Sequence, residues 1–130
     1  MEGVALNQQT EARASKGVQI ITMLYDGAIN FINIAKEKIE VGDSVGRTHY
    51  INKSSAIVKE LSSSLHMDGG DIALNLKNLY DFVLESLIKA DESNNLDALS
   101  DAEKVVEILR SAWYEIQEAK EMESQQRYND

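Results

Sequence analysis

The sequence predicts an all-α fold: an antiparallel up-down-up-down four-helix bundle, with room for a short extra helix at its N-terminus. Three observations carry that expectation. The 130 residues contain no proline and few glycines, so little in the chain interrupts long helices. Four segments repeat apolar residues at steps of three and four, the period of a helix with one buried face. Polar turns of a few residues separate these segments, and connections that short force sequential helices to run antiparallel.

Length suits one domain. We divide it into a mobile N-terminal arm (1–14), a helical bundle (15–121) and a polar C-terminal tail (122–130). In the arm only Val4, Ala5 and Leu6 form an apolar cluster. Ser15 is positioned to cap the first helix, with Gly17 in its first turn. Helix 1 is expected over residues 16–41. Its main stripe is Ile21, Leu24, Ala28, Ile32, Ala35 and Ile39. A second stripe, Ile20, Met23, Phe31 and Ile34, lies on another side. Gly42 closes this helix, and Asp43 or Ser44 opens the next.

Helix 2, expected over residues 45–65, has a narrow stripe of Tyr50, Ile57, Leu61 and Leu65, flanked by Ile51 and Val58, with Ser54 inside it. Residues 66–70 connect, and Asp68 or Gly70 begins helix 3. That helix carries Ile72, Leu76, Leu79, Val83, Leu87 and Ala90 on one stripe. Ala73, Tyr80, Leu84 and Ile88 widen it, and Phe82 stands apart. Asn95 caps helix 4, expected over residues 96–121, whose stripe is Ala102, Val106, Leu109, Trp113 and Ile116. Each helix is then about 30 to 39 Å long at 1.5 Å per residue.

Composition excludes several kinds of function. The net charge is −9, from 22 acidic and 13 basic residues. Such a chain repels phosphate backbones, so no nucleic acid is expected as a partner. No apolar run approaches the length of a membrane span, and the N-terminus lacks the basic start and apolar block of a secretory signal. A cytoplasmic protein without membrane insertion is the expectation. With no cysteine and two histidines, no thiolate metal site, disulfide framework or nucleophilic triad is available.

The residue three before His49 is Gly46 and three before His66 is Ser63, so the Glu-x-x-His pairs of di-iron bundles are absent. His66, Asp68 and Asp71 do not match a calcium loop. Gly69-Gly70-Asp71 has only a superficial likeness to the signature of cyclic-dinucleotide-making enzymes, whose glycines lie between strands. No catalytic residue, metal or cofactor is therefore expected, and the protein is read as a non-enzyme. Two alternatives stand beside a partner-binding module. One is a histidine phosphotransfer-like bundle using His49; the other is a self-associating structural bundle.

The surplus of apolar surface on helices 1 and 3 is the most informative feature. Those helices could simply be the most buried members, or residues 4–14 could fold back over them. A groove for a partner's amphipathic helix is the functional reading. The side chains off the main stripes are its candidate contacts: Ile20, Met23, Phe31 and Ile34 on helix 1, and Leu74, Phe82, Leu84 and Ile88 on helix 3.

Four blocks, MLYDGAI, NKSSAIVKELSSSL, GGDIALNLKNLYDFVLESLIKA and ILRSAWYEI, occur in this order across residues 18–118. In sequence and spacing they resemble the flagellin export chaperones of the FliS family. The resemblance implies an antiparallel helical bundle without catalytic activity that binds the C-terminal segment of newly made flagellin in the cytoplasm. That segment is disordered when free and folds on the chaperone. Binding prevents premature polymerisation and aids type III export, and the flagellar export gate and other flagellar proteins are further implied partners. Tyr25 and Tyr80 belong to the matching blocks and join the candidate partner contacts. Each can present its ring to the core and its hydroxyl to the edge. This chain departs from the family in having no tyrosine in its arm, and in having Gly17 where a proline is expected.

Overall fold

A computed structural model describes residues 2–65 and 70–129. Four helices follow one another: α1 (Glu2–Glu40), α2 (Ser44–Ser63), α3 (Asp71–Ser93) and α4 (Leu96–Asn129). No strand occurs among the described residues. Each helix packs on two others, α1 and α3 both lying against α2 and α4. This is the up-down-up-down bundle expected, with α1 diagonal to α3.

Helix α1 begins at Glu2 rather than near residue 16. Ser15 therefore lies inside a helix and caps nothing. The residues before it include Ala5, Leu6, Gln8, Gln9, Glu11, Ala12 and Arg13, all good helix formers, and one glycine is too small a cost to stop the run. Helix α4 likewise passes residue 121 and reaches Asn129.

The core is drawn from all four helices. It contains Tyr25, Ala28, Ile32 and Ala35 of α1, Ile51, Val58 and Leu61 of α2, Tyr80, Val83, Leu87 and Ala90 of α3, and Leu99, Ala102, Val106 and Leu109 of α4. The main stripe of α1 faces inward as its spacing predicts. On α2 the centre of the buried face is Ile51, Ser54, Val58 and Leu61, so the residues expected to flank the stripe are its axis. Ser54 fits because its hydroxyl donates to the Ala28 carbonyl at 3.2 Å. Helix α3 is rotated from expectation. Ala73, Leu76, Tyr80, Val83, Leu87 and Ala90 face the core, while Ile72 and Leu79 are exposed.

One stretch, Lys16–Glu40, has the length and average apolarity of a membrane-crossing helix, which corrects the expectation that no run comes close. Tyr25, Ala28, Ile29, Ile32 and Ala35 are buried in the bundle core, while Gln19, Asn30 and Asn33 face solvent together with Ile20 and Met23, so one face of this stretch is that of a bundle core helix.

The connections follow local chemistry. Gly42 takes a left-handed φ of 75°. Its N–H donates to the Ile39 carbonyl, and the Asp43 N–H reaches back to the Lys38 carbonyl, closing α1 in a Schellman turn. Asp43 then caps α2, its carboxylate accepting from the Gly46 N–H at 2.9 Å. Asn95 caps α4 by accepting from the Ala98 N–H at 3.1 Å. Helix α3 starts after Gly70, whose φ is also positive; Asp68 lies outside the described residues.

The α2 cap yields a test. A Cβ on Gly46 would lie 2.5 Å from an Asp43 carboxylate oxygen and 2.8 Å from Lys38 Cδ, so the cap must open to admit it. Gly46→Ala is expected to lower the thermal midpoint by about 3–5 °C. Gly17→Ala, with nothing within 4 Å of its Cβ, should hold or raise it. The bond from Gly46, with Lys38 nearby, also holds the Asp43 carboxyl below its ordinary range. The cap's contribution is present above the usual carboxylate pKa and fades as pH falls through the lowered value.

Candidate functional site

The bundle has two differently built ends. Where α2 begins and α3 finishes, polar side chains bind the helices together. Arg47 Nε and the Thr48 hydroxyl both donate to one Asp91 oxygen, at 3.1 and 2.7 Å, and a further Arg47 nitrogen donates to Asn94. At the other end, beside the α2–α3 connection, an apolar groove opens with a volume of about 510 Å³. Ile20, Ile21 and Leu24 of α1 form one wall. Glu60, Leu61, Ser64 and Leu65 of α2, Leu76 and Tyr80 of α3, and Trp113 of α4 complete it.

Behind this groove the two Leu-Tyr-Asp triplets meet. Tyr25 and Tyr80 are 1% and 3% exposed. Their hydroxyls lie 2.5 Å apart across the diagonal of the bundle. Trp113 Nε1 donates to the Tyr25 hydroxyl at 3.2 Å. The aspartates behave differently. Asp26 ties α1 to α4 by accepting from the Tyr114 hydroxyl at 2.7 Å and from Arg110. Asp81 forms a surface pair with Lys77 on its own helix. Thr22, buried beside them, places its hydroxyl 2.8 Å from both the Gln19 carbonyl and the Gln117 side chain.

Burial, followed by the bond to Tyr80, pushes the Tyr25 hydroxyl far above its ordinary pKa; burial also raises Tyr80. A raised pKa means stability is intact below the unfolded value, about 10, and is lost as pH climbs above it. The chain should therefore unfold in alkali, with tyrosinate absorbance appearing cooperatively with loss of helicity. Gradual ionisation of these tyrosines in a still-folded chain would contradict the buried pair.

The candidate contacts do not form one surface. Ile20 is 58% exposed and stands at the groove. Met23 is exposed beside it. Tyr25 and Tyr80 are interior, so neither offers free surface in this conformation, although Tyr80 lines the groove from behind. Phe31 is half-buried against Tyr50, with ring centroids 6.0 Å apart and Lys53 over its face. Ile34 is half-buried too, and Leu84 packs on the core. Leu74, Phe82 and Ile88 are exposed on α3. Because α1 and α3 are diagonal, their outer faces point apart, and of the candidate contacts only Ile20 and Tyr80 line the groove.

Sequence reasoning overlooked much of the groove wall: Ile21, Leu24, Leu61, Leu65 and Leu76. For Leu61, Leu65 and Leu76 the signal was the clustering of apolar positions on either side of the α2–α3 connection; Ile21 and Leu24 lie on α1, in the stripe assigned to the core. Trp113, expected in the core, is half-buried, packing on the core with one edge on the groove. His49, the phosphotransfer candidate, is exposed and meets the Tyr50 ring edge-on at 5.0 Å. Among the described residues no cluster of side chains could hold a metal ion; His66 and Asp68 lie outside them.

Fold and groove together define an all-α bundle with an open apolar groove. A family model described as flagellar protein FliS matches residues 2–120. The chain belongs to the FliS family. It is 32% identical over 108 residues to the flagellar secretion chaperone FliS of Vibrio cholerae, covering 82% of this chain and 79% of that one. The Salmonella typhimurium chaperone of the same name is 33% identical over 100 residues, covering 75% and 74%. That of Bacillus subtilis is 26% identical over 106 residues, covering 82% and 79%.

Proposed function

We propose that this chain is a flagellar secretion chaperone that acts in the cytoplasm by binding the disordered C-terminal segment of flagellin. It performs no chemistry. Holding that segment blocks premature polymerisation and keeps the cargo ready for type III export, with the export gate a further partner. The observation that carries this reading is the open apolar groove at the α2–α3 end, with Ile20 exposed at its wall, in a chain of the FliS family.

The groove suits the apolar face of a helix that forms on binding. Each leucine-sized side chain buried there contributes roughly 1.5–3 kcal/mol. Folding the disordered segment offsets part of that gain, which keeps the complex releasable. Titrating the chain with the C-terminal segment of flagellin from the same genome should give heat of association at micromolar concentration or below. Helicity should exceed the sum of the two components. No association at micromolar concentration would overturn the reading.

A further inference from the structure

Away from the groove, α3 and α4 flank a second cavity of about 440 Å³, towards the end of the bundle where α2 begins. It shares no lining residue with the groove. Phe82, Glu85 and Ser86 line it from α3, and Asp97, Ala98 and Asp101 from α4. Phe82 is 43% exposed, so one part of its ring is free. Lys89 also borders the cavity. The ion pairs among the described residues use neither Lys89 nor any of the three carboxylates.

Ser86 is the second sign of a ligand. It is only 8% exposed. The serine hydroxyl bonds among the described residues belong to Ser54, Ser63 and Ser64, so the Ser86 hydroxyl has no partner there. A buried polar group without a partner is unfavourable, and the cavity that Ser86 lines is where one can enter. The acidic side chains do not converge tightly: no group of them among the described residues could hold a metal ion. They fit a larger cation whose donors are spread apart.

We propose that this cavity receives an arginine side chain, presented on a helix of a second protein partner that is distinct from the segment held in the groove. A guanidinium carries five donors in a planar fork, enough to reach more than one carboxylate and the Ser86 hydroxyl together. Its flat face suits the exposed Phe82 ring, and its aliphatic stem suits Ala98. A lysine ammonium is a compact point charge and meets fewer of these groups at once. The surface beside the cavity sets the rest of the partner. Leu79 lies one turn before Phe82 on α3, and Ile108 lies two turns beyond Asp101 on α4; both are exposed. Because α3 and α4 are antiparallel, both step away from the cavity in the same direction. A helix with apolar residues one and two turns from its arginine covers them. The net charge of −9 also draws a basic partner towards the chain.

The test uses the full chain and two synthetic helical peptides. Each has about 18 residues, or five turns, with one arginine and leucines one and two turns beyond it. The second carries citrulline, an uncharged isostere, in place of the arginine. Titration followed by NMR reads both position and affinity. The arginine peptide should shift the signals of Phe82, Ser86 and Ala98 and bind about 10-fold or more tightly than the citrulline peptide, the range for hydrogen bonds between charged groups. Glu85→Gln combined with Asp101→Asn should abolish that preference. Ser86→Ala should weaken the arginine peptide about 3-fold without lowering the thermal midpoint of the free chain, because no internal bond is lost. Adding the flagellin C-terminal segment beforehand should leave the arginine peptide's affinity unchanged. If the two peptides bind alike, if the shifts fall elsewhere or are absent at millimolar peptide, or if the flagellin segment displaces the arginine peptide, the arginine site is overturned. None of these outcomes touches the flagellin reading, which requires only the groove.

Discussion

Ile20→Asp should weaken binding of the flagellin C-terminal segment roughly 100-fold and leave the thermal midpoint of the free chain nearly unchanged. Ile20 is more than half exposed while lining the groove, so the unliganded bundle gains little from it. Covering an isoleucine side chain contributes about 1.5–3 kcal/mol, a factor of roughly 10 to 150 in affinity. Aspartate removes that gain and adds a charge that must lose water near Glu60. The control is Ile108→Asp. Ile108 is exposed on α4 and lies outside the groove, so its replacement should leave affinity within about twofold. Equal losses from both substitutions would show that apolar surface in general, and not this groove, holds the partner.

Tyr25→Ala is expected to cost on the order of 5 kcal/mol, enough to bring a marginally stable domain close to unfolding. Removing a buried aromatic ring from a packed core accounts for about 3–5 kcal/mol. Trp113 Nε1 and the Tyr80 hydroxyl also lose their partner, each costing about 1 kcal/mol or more where water cannot replace it. Tyr25→Phe isolates that second part and should cost about 1–2 kcal/mol. Urea titrations followed by circular dichroism measure both. If Tyr25→Phe were as damaging as Tyr25→Ala, the hydroxyl network would outweigh ring packing. If neither moved the midpoint, Tyr25 would not be at the centre of the core.

These residues also show what the sequence made legible. Turn chemistry is local, so Gly42 and Asn95 could be assigned as caps from their neighbours alone and the α2 cap narrowed to Asp43 or Ser44; Gly42, Asp43 and Asn95 take those roles. The inward stripe of α1 was readable because one phase fits its spacing well. On α3, apolar residues at 72, 73, 74, 76, 79, 80, 82, 83, 84, 87, 88 and 90 satisfy several phases. Packing against α2 and α4 selects among them, which is why Ile72 and Leu79 turn outward. Tyr25 and Tyr80 became candidate contacts because they belong to the blocks that resemble the family. Their repeated triplet marks a contact across the bundle instead, and no local pattern records which distant helix a tyrosine faces. The groove was hidden for the same reason: all four helices line it, and its position depends on their relative register. Family resemblance supplied the identity that periodicity could not.

The unequal lengths of the helices have a practical consequence for tethering. Helices α1 and α4 run past the groove by different routes of the chain but in the same direction in space, as the pairing of Gln19 with Glu121 shows. Glu2 is 18 residues from Ile20 and Asn129 is 16 from Trp113, or about 24–27 Å at 1.5 Å per residue. A flexible linker of about twenty residues has a comparable root-mean-square span. A cargo segment fused to either end of the chain would therefore meet the groove at an effective concentration in the millimolar range. Such a fusion would read as occupied for any intrinsic dissociation constant well below that range, and a purification tag with an apolar helix at either end could compete with the cargo itself.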